Sequence, residues 1–475
     1  MTLTLPATLI KTALRQPLTT MAERVDLDLP NTRTTFPFRC QQQEALNLAL
    51  SNSPIAAIAG IPGSGKTQVI LAAMEAVIDQ QKSILVVAGK KRSLKAYANL
   101  PLPPLEMIDN IDYQDCVYRW VKQHLSNPKL TFCPSYWLPD PLFEKLIDIL
   151  SRRQWLQYLQ SDQQEEITAL VAQELPDVHP ARRQLLIYRL CKAYPLLVQR
   201  EQIRQNYTHL STHALQDITD GLISTMTIPV LCVSQQLASL GHKVFDWVVV
   251  EDAHILKPDI ILDIAHRAKK LVLLGELEHE QSSFSDLFSR LWPGDRVLLT
   301  ENHRLHPDLA YSIFSSFYPS IPVPYTPPTR SYDSLPKELP RLAWYDVVAD
   351  EKLTRVLWKH IQSIPNCHHS ILTFSSKLAN QLRLEQKQIF MNHALESKVE
   401  IYDIDNWYGN AHPILWIVCD STTGDNTSST DIRWAFTRAT ESIGVIGDKT
   451  RCKHKQLVLN SLFYSSLTVI RNIDL

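Results

Sequence analysis

The sequence predicts an α/β protein of two domains, each a parallel sheet with helices on its faces. Three observations predict it. Short apolar runs recur at 54–59, 83–88, 228–233, 245–250, 271–274, 371–374, 414–419 and 443–446. Runs of this length, bounded by turn residues, read as buried strands. The first two flank a segment from Thr67 to about Gln81 with Val69, Ile70, Ala73, Val77 and Ile78 at helical spacing. Strand, loop, helix, strand is the unit from which parallel sheets are wound. Finally, a Pro-rich stretch between Pro319 and Pro340 reads as a surface loop early in a second domain.

In chain order, residues 1–35 form an irregular N-terminal segment. Its first 22 residues carry Lys11 and Arg15 and no acid, a faint transit-peptide pattern. They hold no long apolar stretch, so a short helix and a cytoplasmic protein are expected. A helical pattern starts at Phe36 and runs through Gln42, Ala45, Leu46 and Leu50. The first α/β domain is assigned to 36–100 and 228–297, and the second to 298–475. Between the halves of the first, residues 101–227 open on Pro101, Pro103 and Pro104. They continue with helical periods at 141–160, 163–174 and 181–204 and read as a mostly helical insertion.

Composition bounds the function. The chain has 475 residues, is 45% hydrophobic and carries a net charge of -1. That apolar fraction suits a globular protein with real cores. No run approaches the roughly 20 apolar residues of a membrane helix, so a membrane partner is not expected. A neutral protein does not attract nucleic acid by its overall field. Such contact would need local patches, for example Arg152, Arg153, Arg182 and Arg183; solvated helix faces explain these pairs equally well. None of the eight cysteines forms a C-x-x-C pair. They read as free core thiols in a reducing compartment.

The motif that carries chemistry is Gly60-Ile61-Pro62-Gly63-Ser64-Gly65-Lys66-Thr67, a match to G-x-x-x-x-G-K-[ST]. Glycines let backbone N–H groups turn inward around phosphates. Lys66 reaches the β and γ phosphates, Thr67 offers its hydroxyl to Mg²⁺, and the following helix points its positive end at the anion. Gly60, Gly63, Ser64, Gly65, Lys66 and Thr67 are therefore the expected phosphate-binding set, with ATP and Mg²⁺ as the cofactors. Val248-Val249-Val250-Glu251-Asp252-Ala253-His254 supplies the second requirement, acids at the C-terminal edge of a neighbouring strand.

With these motifs placed, residues 36–100 and 228–450 resemble superfamily 1 helicases, nearest the branch of the nonsense-mediated-decay and Dna2-like enzymes. Gln42-Gln43-Glu44-Ala45 resembles the family's Q motif, in which Gln42 would read the adenine edge. Ile84 to Leu94 resembles motif Ia, at the nucleic-acid face. Glu301-Asn302-His303-Arg304-Leu305-His306-Pro307 looks like the Q-Y-R-M-H-P element, strengthened by Phe314 to Tyr318. The resemblance puts Arg304 on the γ-phosphate and His303 where an aromatic stacks on the base. Arg433-Trp434-Ala435-Phe436-Thr437-Arg438-Ala439 resembles V-A-L-T-R-A, which makes Arg438 the arginine finger.

The sequence departs from the family in three motifs. Asp-Glu is reversed as Glu251-Asp252, so by position Glu251 would hold Mg²⁺ and Asp252 would activate water. G-D-P-x-Q appears as Gly275-Glu276-Leu277-Glu278-His279. G-F-Q-G-x-E appears as Asn406-Trp407-Tyr408-Gly409-Asn410-Ala411, without its Gln or its acid. The N-terminal 35 residues are too few for the β-barrel that relatives carry. The insertion sits where relatives place a nucleic-acid-contacting subdomain. Trp120, Trp137 and Trp155 there read first as core and second as stacking platforms.

The resemblance implies two RecA-like P-loop NTPase domains with a helical insertion in the first, and Lys66, Glu251, Asp252, Arg304 and Arg438 as the catalytic set. It implies an ATP-dependent helicase or translocase, working as a monomer on single-stranded or partly duplex DNA or RNA. Residues 101–227 are a candidate protein-docking element. The alternative is an ATP-binding pseudo-helicase that hydrolyses little and serves as a nucleotide-gated scaffold. A small-molecule kinase would not need Arg304 and Arg438 on a second domain.

Overall fold

A computed structural model describes residues 6–10, 38–80, 82–97, 100, 104–107, 111–125, 164–176, 178, 180, 183–184, 187, 212–226, 228–277, 282–318, 340–347, 350–365, 367–390, 399–404, 407, 412–420, 429–448 and 468–470. The expectations for the helical period at 141–160 and for Arg152, Arg153, Arg182, Trp137, Trp155, Glu278, His279, Asn406 and Tyr408 to Ala411 lie outside the described residues.

The fold is α/β, with two all-parallel sheets as the cores of two RecA-like domains. The first sheet contains β1 (Ile55–Gly60), β2 (Ile84–Ala88), β3 (Leu105–Glu106), β4 (Val230–Val233), β5 (Phe245–Glu251), β6 (Ala268–Gly275) and β7 (Arg296–Leu299). Their order is β3-β4-β2-β5-β6-β1-β7. The second contains β8 (Leu342–Asp346), β9 (His369–Thr373), β10 (Val399–Asp403), β11 (His412–Cys419), β12 (Ala439–Gly447) and β13 (Thr468–Ile470), in the order β10-β9-β11-β12-β8-β13.

Period-2 geometry explains why the strand sequences are apolar throughout. In β1, Ile55, Ala57 and Ala59 point into one core, with Leu85, Val87, Val248 and Val250. Ala56 and Ile58 point into the other, with Val86, Val249 and Val272. A parallel sheet covered on both faces leaves no polar side to alternate with. The second sheet repeats this: Leu415 and Ile417 face one core, and Ile414, Trp416 and Val418 face the other.

Residues 101–227 contribute to the first domain itself. Leu105 and Glu106 pair with β4 at the sheet edge. The helix Tyr113–Leu125 places Tyr113, Val117, Trp120 and Val121 in the first core. Trp120 is thus a core residue. Arg183 donates to the Ala172 carbonyl at 3.2 Å. Cys116, Cys232 and Cys419 are buried thiols, and Cys40 is exposed. No helix among the described residues is long and apolar enough to cross a membrane.

Candidate nucleotide-binding site

Strand β1 ends at Gly60, and the chain turns through residues 61–65 into the helix Lys66–Asp79. Two positions of the turn demand glycine. Gly63 has φ +82°, and a Cβ there would lie 2.9 Å from Asn302 Oδ1 and 3.0 Å from Arg304 Cβ. Gly65 has φ +88°, and its Cβ would collide with Gln42 Nε2. Left-handed backbone and close approach both favour glycine. Gly65 is also the N-cap of the helix, which has no side-chain cap and no acid in its first turn. The first N–H groups of such a helix need an outside acceptor, and a phosphate is a natural one.

Lys66 Nζ donates to the carbonyls of Gly60 and Ile61 at 2.6 and 3.1 Å. Ser64 Oγ is buried without a hydrogen-bond partner among the described residues. Gln42 is buried, and its amide is engaged on both sides. It donates to Ser64 O at 3.1 Å and accepts from Arg39 N at 3.3 Å. This residue braces the loop from behind. Gln41, its neighbour, is bonded to Thr300 through N–H and hydroxyl at 2.9 and 3.0 Å.

The two acids sit in contrasting environments. Glu251 is 6% exposed at the end of β5. Thr67 Oγ1 donates to its Oε1 at 3.3 Å, and the Tyr97 hydroxyl donates to its Oε2. Burial, then the adjacent Asp252 charge, pushes its carboxyl up to about 7, against the opposing pull of Tyr97, Lys66 and Thr67. Burial, then Glu251, holds the Tyr97 hydroxyl well above its ordinary range, so it remains a donor. Asp252 has a left-handed backbone, φ 53° and ψ 43°. Ser93 Oγ donates to its Oδ2 at 2.5 Å. Burial alone would raise Asp252, but His254, the Ser93 hydrogen bond, Lys66 and Arg438 together hold it below the usual carboxylate value. Paired acids pushed in opposite directions mark separate roles.

The segment after β7 closes onto the loop. His303 N donates to Gly63 O at 2.9 Å, and Ile61 packs with Leu305 and Leu309 in a second-domain core. The His303 ring lies 3.6 Å from Glu301, which also lies 3.8 Å from Arg39. Arg304 Nη1 donates to Thr437 O at 3.1 Å, which ties the two arginine-bearing segments together. Arg438 is desolvated and crowded by Arg304, and both effects push it well below the ordinary arginine range; Asp252 and Glu276 pull it back. Glu276, the acid in the altered third motif, accepts from Tyr318 Oη at 3.3 Å, while its N–H donates to His254 Nδ1.

The residues present fit a Mg²⁺–nucleotide. Arg304 acts electrostatically on both Lys66 and Arg438, and an anion would relieve the crowding of the two guanidiniums. Among the described residues no ion pair holds Glu251, which feels Lys66 only at a distance, and Mg²⁺ takes one or two protein oxygens plus phosphate oxygens. Thr67 and Glu251 are such a partial set. The structure therefore brings together Gly60, Gly63, Ser64, Gly65, Lys66, Thr67, Glu251, Asp252, Arg304 and Arg438, with Gln42 and His303 against the loop. Tyr97, Ser93, Arg92, Asp431 and Trp434 belong to the same region; Arg92, Ser93 and Trp434 lie within segments that resemble family motifs but were given no role by them, and Tyr97 and Asp431 lie outside any motif.

No protein-family profile matches the sequence, and no curated protein matches it. Solved structures similar to it include the helicase of PRRSV, at 12% identity over 86% of this chain and 54% of that one, with a TM-score of 0.35. Another is the arterivirus nonstructural protein 10 helicase, at 12% identity over 88% of this chain and 64% of that one, with a TM-score of 0.33. A third is an arterivirus nonstructural protein 10 helicase with DNA, at 12% identity, 85% and 62% coverage and a TM-score of 0.34. The chain spans less than two thirds of the length of each. Likeness at these scores carries no weight for function.

Proposed function

We propose that this chain is an ATP-dependent motor on single-stranded or partly duplex nucleic acid, of superfamily 1 type, with ATP and Mg²⁺ held between its two RecA-like domains. The observation that carries the reading is the direct contact of the 60–67 loop with the 302–305 segment, which is itself tied to the Arg438 turn. Lys66 and the helix N-terminus bind phosphate from the first domain. Arg304 and Arg438 approach it from the second. Thr67 and Glu251 would hold the metal ion, which screens the phosphate charge. Asp252, the acid kept ionised, orients and deprotonates the attacking water. His303 would stack on the base, while Gln42, its amide already bonded to Ser64 and Arg39, braces the phosphate loop.

Two arginines facing a phosphate loop make the nucleotide a clamp, and turnover then opens and closes the domains. Lys66→Ala should lose hydrolysis and most nucleotide affinity. Turnover like the wild type in that variant refutes the reading.

One observation supports a second reading, the weakly hydrolysing pseudo-helicase. Asp252 already accepts a short hydrogen bond from Ser93, which competes with water for the same carboxylate. Under that reading ATP sets the angle between the domains, and residues 101–227 dock a protein. Nucleotide binding without measurable turnover would favour it.

A further inference from the structure

The side chain of Arg438 rests on Trp434, with its guanidinium carbon 4.3 Å from the ring centroid. A second guanidinium, that of Arg92, lies 4.5 Å from the same ring. Both guanidiniums therefore rest against one indole. Arg92 belongs to the short helix Lys91–Leu94 after β2, in the first domain. Trp434 lies on the helix Ser429–Phe436 of the second.

Arg92 is also fixed by two further contacts. Its Nη2 meets Asp431 Oδ1 at 2.5 Å, and its Nη1 donates to Ile404 O at 3.0 Å. Asp431 and Trp434 are three residues apart, so they share a helix face. Lys90 adds a second ion pair to Asp431 at 2.7 Å. Trp407, from the motif that has lost its polar residues, meets Trp434 edge-on at 5.6 Å and 86°. Tyr402 stacks on Trp407 at 5.3 Å and 11°.

The chemistry explains why an aromatic contacts both arginines. Arg92 and Arg438 repel, and Arg92 is among the charges that destabilise the Arg438 cation. Each face of an indole attracts a guanidinium. An aliphatic residue would fill the space but leave two like charges with nothing attractive between them. The backbone of Arg438 is separately fixed, with its N–H on Ala435 O at 3.1 Å and its carbonyl on His412 N at 3.0 Å.

We propose that Trp434 is the positioning residue of Arg438, and that, because the same ring also contacts Arg92 of the first domain, it makes the direction of Arg438 depend on Arg92. Motion of the first domain's 90–94 helix then reaches the γ-phosphate contact through one aromatic ring. The Trp407 edge contact gives the altered fifth motif an apolar route to the same arginine. This inference rests on the reading of Arg438 as the γ-phosphate contact.

The test compares equilibrium affinities for ATPγS and ADP in the full chain, because their ratio reports γ-phosphate recognition whether or not hydrolysis is fast. The variants are Arg438→Ala, Trp434→Phe, Trp434→Leu and the double variant Trp434→Leu/Arg438→Ala. Trp434→Leu should lower the preference for ATPγS about tenfold or more, the scale of a desolvated cation–π contact. Its ADP affinity should stay near that of the wild type, which shows a folded site. Trp434→Phe keeps a π face and should retain most of the preference. The double variant should be no worse than Arg438→Ala alone. A full preference in Trp434→Leu, or additive losses in the double variant, overturns the inference alone. An Arg438→Ala variant with an unchanged preference overturns the assignment of Arg438 itself, and the inference falls with it.

Discussion

Removing the charge of Glu251 should stabilise the metal-free protein above neutral pH. The carboxyl is raised from 4.5 to about 7 by burial and by Asp252. A raised acid favours the folded state while it is protonated. That contribution is complete below about pH 4.5 and is lost as pH rises through about 7. Each pKa unit is worth about 1.36 kcal/mol, so the metal-free protein loses up to about 3 kcal/mol across that window. Glu251→Gln keeps one acceptor oxygen, for Tyr97 or for Thr67, and cannot ionise, so the pH dependence of the gap rather than its absolute size is the readout. The gap in stability between the two proteins should therefore widen between pH 5 and 8, by roughly 5–10 °C in melting temperature for a domain of this size. The assay is thermal unfolding of both proteins in chelator at half-unit pH steps, repeated with Mg²⁺ and ATPγS. Mg²⁺–nucleotide should close the gap by stabilising the wild type more than Glu251→Gln. Melting curves that run parallel across pH 5–8 would refute the claim that Glu251 is a buried acid in need of a cation.

The double variant Glu251→Asp/Asp252→Glu should lower hydrolysis by about 10²-fold, because Asp is too short to span Tyr97 and Thr67 while Glu overreaches Ser93; steady-state turnover decides, and a gain would mark the present order as a lapsed one. Asp431→Ala removes the carboxylate shared by Lys90 and Arg92. With Arg92 only 7% exposed, the lost pairing should cost about 3 kcal/mol, read from urea unfolding. Stability unchanged by this variant would show that the contact between the domains is not made in solution.

Much of the fold was legible because parallel strands covered on both faces are written as continuous apolar runs. The runs at 54–59 and 245–250 correspond to β1 and β5. Other strands left no such signal. β3 is two residues at a sheet edge. In β7, Arg296 is half-buried and Leu298 is exposed, as suits a strand at the other edge. β10 alternates, with Val399, Ile401 and Asp403 inward, and Asp403 is a buried acid that breaks an apolar count.

The site divides in the same way. The loop glycines, Lys66 and Thr67 were legible because phosphate binding fixes residue types at fixed spacing. Tyr97 was not, since its partner Glu251 lies 154 residues away and a lone tyrosine on a short helix has no pattern. Arg92 and Trp434 lie in segments that resemble family motifs, but their pairing was hidden, since it exists only once two domains meet. Gln42 was legible as a position, but its bonds to Ser64 and Arg39 show a brace for the loop that no motif spells out.

The central claim, that the cleft between these domains turns ATP over under the control of a nucleic-acid strand, is tested most directly by steady-state hydrolysis. Purified protein with Mg²⁺ would be titrated with single-stranded DNA and, separately, RNA. The account predicts saturable stimulation by at least one of them. Tight nucleotide binding with no hydrolysis, or hydrolysis indifferent to both strands, would contradict it.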